Sequence, residues 1–170
     1  DCTFINNVAD NGGAVEWAGH NGTVSNCIFM NNLVDGSGGA IELDNAADCE
    51  ILDCLFINNR AKYGGAIYGA DSIHLNVSGS KFINNSADYY GGAVVCEDCY
   101  NVSIFDCSFT NHSAGKGSGA LDLTGCDDSQ VSYCNFTNNS AKSDGGALFV
   151  DSNNVKIDNC NFADNNAYFG

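Results

Sequence analysis

The sequence predicts an all-β fold: a right-handed, single-stranded parallel β-helix with about 26 residues and three short strands per coil. Three observations carry that prediction. Cys-x-Phe recurs at Cys2, Cys27, Cys54, Cys107, Cys134 and Cys160, with Ser80-Lys81-Phe82 in the missing place, so successive anchors lie 25, 27, 26, 27, 27 and 26 residues apart. Gly-Gly-Ala plus an aliphatic residue recurs between them, at Gly12–Val15, Gly38–Ile41, Gly64–Ile67, Gly91–Val94 and Gly145–Leu148, with Ser118-Gly119-Ala120-Leu121 as the one departure. Proline is absent from all 170 residues, as a continuous ladder of backbone donors requires at most positions. Self-similarity at a fixed period marks a solenoid, in which each unit buries its apolar face only against its neighbours.

Each repeat holds three apolar alternations of period two, the pattern of a strand with one buried side. The first follows Gly-Gly-Ala. Val15, Ile41, Ile67, Val94, Leu121 and Leu148 form one inward column, and Trp17, Leu43, Gly69, Cys96, Leu123 and Val150 form another two residues on. Between them stand Glu16, Glu42, Tyr68, Val95, Asp122 and Phe149, a mixed set suited to an outward face. The second alternation ends at Val24, Ile51, Val77, Ile104, Val131 and Ile157, and the third is the Cys-x-Phe anchor itself. No room remains for a crossover helix. At one strand spacing per coil, the roughly six and a half coils make a single rod about 30 Å long across residues 1–170.

Two polar columns are expected inside the coil. Asn6, Asn31, Asn58, Asn84, Asn111, Asn138 and Asp164 stand four residues after each anchor position, where stacked side chains would satisfy buried turn amides. The anchor cysteines share one inward position, and a stack of free thiols packs there as small hydrophobes. That state fits an anaerobic or intracellular environment better than an oxidising one. Cys99 and Cys126 fall outside this column, at matching places on adjacent coils, and form a disulfide candidate with Cys96 as a competing partner. Cys96-x-x-Cys99 is also half of a zinc motif, with no second half in the chain.

Composition excludes several function classes. A net charge of −15, with Arg60 and five lysines as the only strong bases, repels nucleic acid. No apolar run is long enough to span a membrane. The chain opens and stops in mid-repeat, so it is expected to be a segment of a longer array, with any export signal and anchor outside it. Seven Asn-x-Ser/Thr triplets occur. Asn84, Asn111 and Asn138 fall in the expected buried column, which leaves Asn21, Asn76, Asn101 and Asn135 as the glycosylation candidates. Glu97, Asp98, Asp127 and Asp128, in turns on successive coils, are weak calcium candidates against the alternative of a solvated acidic ridge.

The interleaving of Gly-Gly-Ala-Ile/Leu/Val with Phe-x-x-Asn, at Phe4–Asn7, Phe29–Asn32, Phe56–Asn59, Phe82–Asn85, Phe136–Asn139 and Phe162–Asn165, resembles the repeat of the chlamydial polymorphic outer-membrane proteins. Its wording, Cys-Thr-Phe-Ile-Asn-Asn with Gly-Gly-Ala-Val, is even more similar to the adhesin-like proteins of methanogenic archaea. The resemblance covers the whole chain and is interrupted at His112 and Ser118. It implies an extracellular, cell-surface stalk or adhesin and carries over no catalytic residues.

The expected function is therefore non-enzymatic attachment to other cell surfaces, glycans or further copies of the chain. No cofactor is expected apart from the calcium already considered. Two surfaces are candidates. Ile5, Met30, Ile57 and Ile83, each following its anchor phenylalanine outward, would form an aliphatic contact stripe, or else reflect ordinary β-propensity. Tyr63 and Tyr90, at matching positions with Tyr89 beside them, would offer aromatic faces to sugar rings, or else pack on one another. A passive spacer or end-to-end fibre is the alternative. A polysaccharide lyase or hydrolase is less favoured, because His20, His74 and His112 occupy unrelated places and Arg60 lacks a carboxylate cluster in its own loop.

Overall fold

The computed structural model describes residues 1–169. It is an all-parallel, right-handed solenoid with every strand paired to its equivalent one coil away. The anchor segments, from Thr3–Ile5 to Asn161–Ala163, form a seven-stranded sheet. The segments after Gly-Gly-Ala, from Val15–Trp17 to Leu148–Asp151, form a six-stranded sheet, and those before the anchors, from Thr23–Ser25 to Lys156–Asp158, form another. The described residues also contain a fourth sheet, so the expected three strands per coil become four. Its six strands lie just after the asparagines: Val8–Ala9, Leu33–Val34, Arg60–Tyr63, Ser86–Tyr90, Ser113–Ala114 and Ser140–Ala141. Four of these are two residues long, and their inward residue is usually alanine, too little for an apolar alternation to register.

Registers align like with like. Phe4, Phe29, Phe56, Phe82, Phe109, Phe136 and Phe162 stack down the interior with centroids 4.7–4.8 Å apart and planes within 6° of parallel. The five central rings are fully buried. Coils one strand spacing apart impose that separation, which is also the low end of favourable aromatic contact.

The buried asparagine column lies one residue later than expected. Asn6, Asn31, Asn58, Asn84, Asn111 and Asn138 are exposed and hold φ of 54–59°, with Asp164 alike at 55°. They turn the corner, a left-handed conformation that asparagine and aspartate tolerate better than other side chains. Asn84, Asn111 and Asn138 are therefore not shielded by a ladder. The ladder is made by the next residue: Asn7, Asn32, Asn59, Asn85, His112, Asn139 and Asn165. Asn59 shows its logic. Its Oδ1 accepts from the backbone N–H and the side-chain amide of Asn32, at 3.0 and 2.9 Å. Its own amide donates to Asn85 Oδ1 at 3.0 Å and to the Phe29 carbonyl at 3.0 Å. Every polar atom of the buried side chain is thus engaged, and turn groups that no sheet can reach are satisfied with it.

His112 breaks this pattern. Its Nδ1 accepts from the Asn85 backbone N–H at 3.0 Å, which places the ring proton on Nε2. Nε2 is buried and has no hydrogen-bond partner among the described residues. Burial pushes the imidazole down to about 4.

The anchor cysteines point inward as expected, and all ten cysteines are free thiols. Cys54, Cys107 and Cys134 each donate to the carbonyl two residues back and to one a coil below. Ser80 takes the same place and accepts the Cys54 N–H at 3.1 Å. Cys99 and Cys126 sit on adjacent coils as two buried thiols, with Cys96 beside them. Cys99 Sγ donates to the carbonyls of Gly69 and Glu97, and Cys126 Sγ to those of Cys96 and Thr124, the same two-carbonyl pattern as the anchor thiols.

Three outcomes are expected. Asn59→Ala strands the Phe29 carbonyl and the Asn32 donors, and should cost about 3 kcal/mol in chemical denaturation. A neutral buried histidine favours the fold fully above its unfolded pKa, and that stability is lost as pH falls from about 6.5 towards 4, an effect of about 3 kcal/mol by linkage. His112→Asn should restore the ladder and remove this part of the pH dependence, read as the difference between variant and wild-type unfolding curves. In thiol titration with an aromatic disulfide, exposed Cys2 should react at once, and the eight buried cysteines only on unfolding. Fewer than eight released thiols would indicate a bridge, with Cys99–Cys126 the first place to look.

Candidate functional site

The corner between the fourth sheet and the Gly-Gly-Ala sheet carries an open groove of about 610 Å³. Its upper wall is aromatic. Tyr63 and Tyr90 are register partners, with ring centroids 6.0 Å apart and planes 16° from parallel. Tyr68, from the strand Ile67–Ala70, tilts in at 6.4 Å from Tyr63. Tyr89 does not line the groove. It lies in a bulge, where Asp88 and Tyr89 oppose the single Lys62 between the Ala61–Ala87 and Tyr63–Tyr90 pairs. Its ring lies 5.3 Å from Tyr63 and carries Lys116 Nζ 4.5 Å above it. The tyrosines do pack on one another, as one reading of the sequence had it, yet Tyr90 keeps 39% of its surface exposed.

The floor comes from the outward column between the two inward ones. Val95, Asp122 and Phe149 are register partners on successive strands, and Glu97, Thr124 and Asp151 are partners two residues on. The column faces outward but is sunken: Val95 and Asp122 are 4% and 3% exposed.

The groove is built in the coil where the repeat departs from itself. Gly117 takes the place that Tyr63 and Tyr90 hold in their coils, and a Cβ there would meet the Tyr90 ring at 2.8 Å. The glycine therefore ends the tyrosine row and leaves room for Tyr90 above Asp122. Next to it, Ser118 replaces the first glycine of the pair. Gly12, Gly38, Gly64, Gly91 and Gly145 hold φ of 50–64°, whereas Ser118 is not left-handed. Its hydroxyl donates to Asp122 Oδ2 at 3.2 Å, and Thr124 donates to Asp122 Oδ1 at 2.8 Å. The two departures from the motif are thus the residues that open the groove and hold its most buried acid.

Electrostatics follow from this burial. Burial pushes the Asp122 carboxyl up, the Thr124 and Ser118 hydroxyls oppose the shift, and Glu97 and Asp151 add to it. Tyr68 donates to Glu97 at 2.6 Å, and its hydroxyl is pushed up by burial and by that bond. On the adjoining coil Glu42 is raised to about 6 by burial, with Glu16 and Asp44 contributing. Ser37 and Asp144 close the two ends.

The other sequence candidates lie elsewhere. Ile5, Met30, Ile57 and Ile83 form one register column along the anchor sheet, with Ile5 exposed and the rest half-buried, away from the groove. Asp127 accepts from the backbone and amide of Asn153, and Asp128 from Tyr100 and Asn154. With Glu97 held by Tyr68 and Asp98 at a left-handed corner, these four acids are distributed, and no group of three metal-ligating side chains converges among the described residues. Asn21, Asn101 and Asn135 are exposed, and Asn76 is half-buried within a strand. Tyr68, Asp122 and Phe149 are among the groove residues that sequence reasoning passed over. The signal was present in the mixed outward column and in the coincidence of Gly117 and Ser118 in one coil.

The family model for the right-handed β-helix region matches residues 1–120 and again 71–169. Among curated proteins none matches this chain. A solved structure of a glycosyl hydrolase candidate from Parabacteroides merdae is similar at 12% identity and a TM-score of 0.48, covering 87% of this chain and 79% of that one. At that distance the likeness carries no functional inference. No helix among the described residues is long and apolar enough to cross a membrane.

Proposed function

The chain belongs to the right-handed β-helix family, and from that premise we propose that it is a non-enzymatic, cell-surface adhesin module that attaches to glycans through this lateral groove. The observation that carries the reading is the tyrosine wall of Tyr63, Tyr68 and Tyr90 over a 610 Å³ groove, with several polar groups converging on its floor. Aromatic faces supply large apolar contact to the C–H faces of sugar rings, and fixed acceptors orient hydroxyls. A solenoid suits such a task because its lateral faces are long and rigid. The similarity of the repeat to adhesin-like proteins of methanogenic archaea supports the extracellular placement, and free thiols accord with an anoxic surface.

The test is binding of the folded chain to a glycan array and to intact cells. Saturable binding is expected, falling at least about tenfold in the Tyr63→Ala/Tyr90→Ala double variant, because aromatic anchors dominate binding energy. Both rings are partly solvent-exposed, so circular dichroism should show an intact fold. A folded wild-type rod that binds neither glycans nor cells would turn the assignment to a passive spacer.

A further inference from the structure

The acids of the groove have no cationic partner, and this bears on the class of sugar it takes. Among the described residues the ion pairs are Arg60–Asp88 and Lys156–Asp158, and His74 is hydrogen-bonded to Asp48, all outside the groove. Lys116 is engaged on the face of Tyr89. Asp122 is only 3% exposed, yet among the described residues its partners are two neutral hydroxyls. Two hydroxyls occupy about half of the acceptor sites of a carboxylate. Glu97 and Asp151 flank it on the neighbouring strands, each one strand spacing across and two residues along. Three carboxylates therefore lie within about 10 Å along the groove floor, and Asp144 adds a fourth at one end.

We propose that the groove selects glycans bearing free amino groups, and that it excludes uronate or sulfated chains. The inference rests on the glycan-binding reading and names its ligand class. An ammonium on a sugar ring stacked against Tyr90 would bring three donors to the unfilled acceptor sites of Asp122 and its neighbours. An anionic sugar would add a like charge in a partly desolvated site, where repulsion exceeds its value in water. A bare metal ion is a poorer match, because no three ligating side chains converge. A cation carried on a sugar needs no such cage, since stacking positions it. Burial and the two neighbouring carboxylates already disfavour charge on Asp122, and an ammonium relieves that strain.

The experiment is calorimetric titration with hexamers of glucosamine, N-acetylglucosamine and galacturonic acid, at low and high salt. Wild type should bind the glucosamine hexamer at least about tenfold more tightly than the acetylated one at low salt, and should not bind the galacturonate. Asp122→Asn should close that gap, and so should Asp151→Asn, an exposed position where folding is not at stake. Asp106→Asn, an equally exposed acid in the turn between Ser103–Phe105 and Ser108–Thr110, on sheets that do not line the groove, should leave the gap unchanged. Equal affinity for the two amino-sugar hexamers, binding of the galacturonate, or an equal effect of Asp106→Asn would overturn the proposal while leaving glycan binding intact. Failure of all three hexamers on a chain that also fails the array would withdraw the glycan reading with it.

Discussion

The asparagine ladder is the interaction on which the rest of this fold depends. A parallel solenoid turns sharply several times per coil, and each turn leaves amides and carbonyls that no sheet can pair. Asn59 and its equivalents fill that deficit with a side chain whose four hydrogen bonds all run along the rod axis. Because each amide reaches a phenylalanine carbonyl one coil below, the ladder also locks the position of the Phe stack. Spacing, register and core are thereby one constraint. The thiol column has the same arrangement in weaker form, with Sγ donating downward across coils.

A structure so constrained has little freedom except on its outer positions and in its turns. The groove exploits both. Outward residues of the Gly-Gly-Ala sheet can vary without touching the ladder, and one irregular coil supplies a glycine where a tyrosine would stand and a serine where glycine would stand. The same coil carries His112, which leaves a buried nitrogen unpartnered. Three local departures from a strongly consistent repeat, at His112, Gly117 and Ser118, thus gather in one turn of the rod.

The architecture was legible in the sequence because the repeat is dictated by inward columns: Cys-x-Phe, the aliphatic residue after Gly-Gly-Ala, and Val24 with its equivalents. The ladder was misplaced by one residue for a physical reason. Two asparagines recur side by side, one for its tolerance of left-handed φ and one for its amide, and periodicity alone cannot assign which does which. The fourth sheet escaped because strands such as Val8–Ala9 are too short to alternate. Tyr63 and Tyr90 were legible as a matched pair, but their partners were not. Tyr68, Asp122 and Phe149 become neighbours of that pair only once the corner folds the two sheets together, and Asp122 reads as solvated until Ser118 and Tyr90 bury it.

Nearest-neighbour architecture has a genetic consequence. Since registers match coil to coil, a tandem duplication of one whole unit of roughly 27 residues would insert a new rung and leave the pairing of every other rung intact. Insertions that are neither a whole unit nor absorbed in a turn or bulge would throw the phenylalanine and amide columns out of phase. Such a gene can therefore lengthen or shorten the rod in discrete steps of one strand, about 4.8 Å.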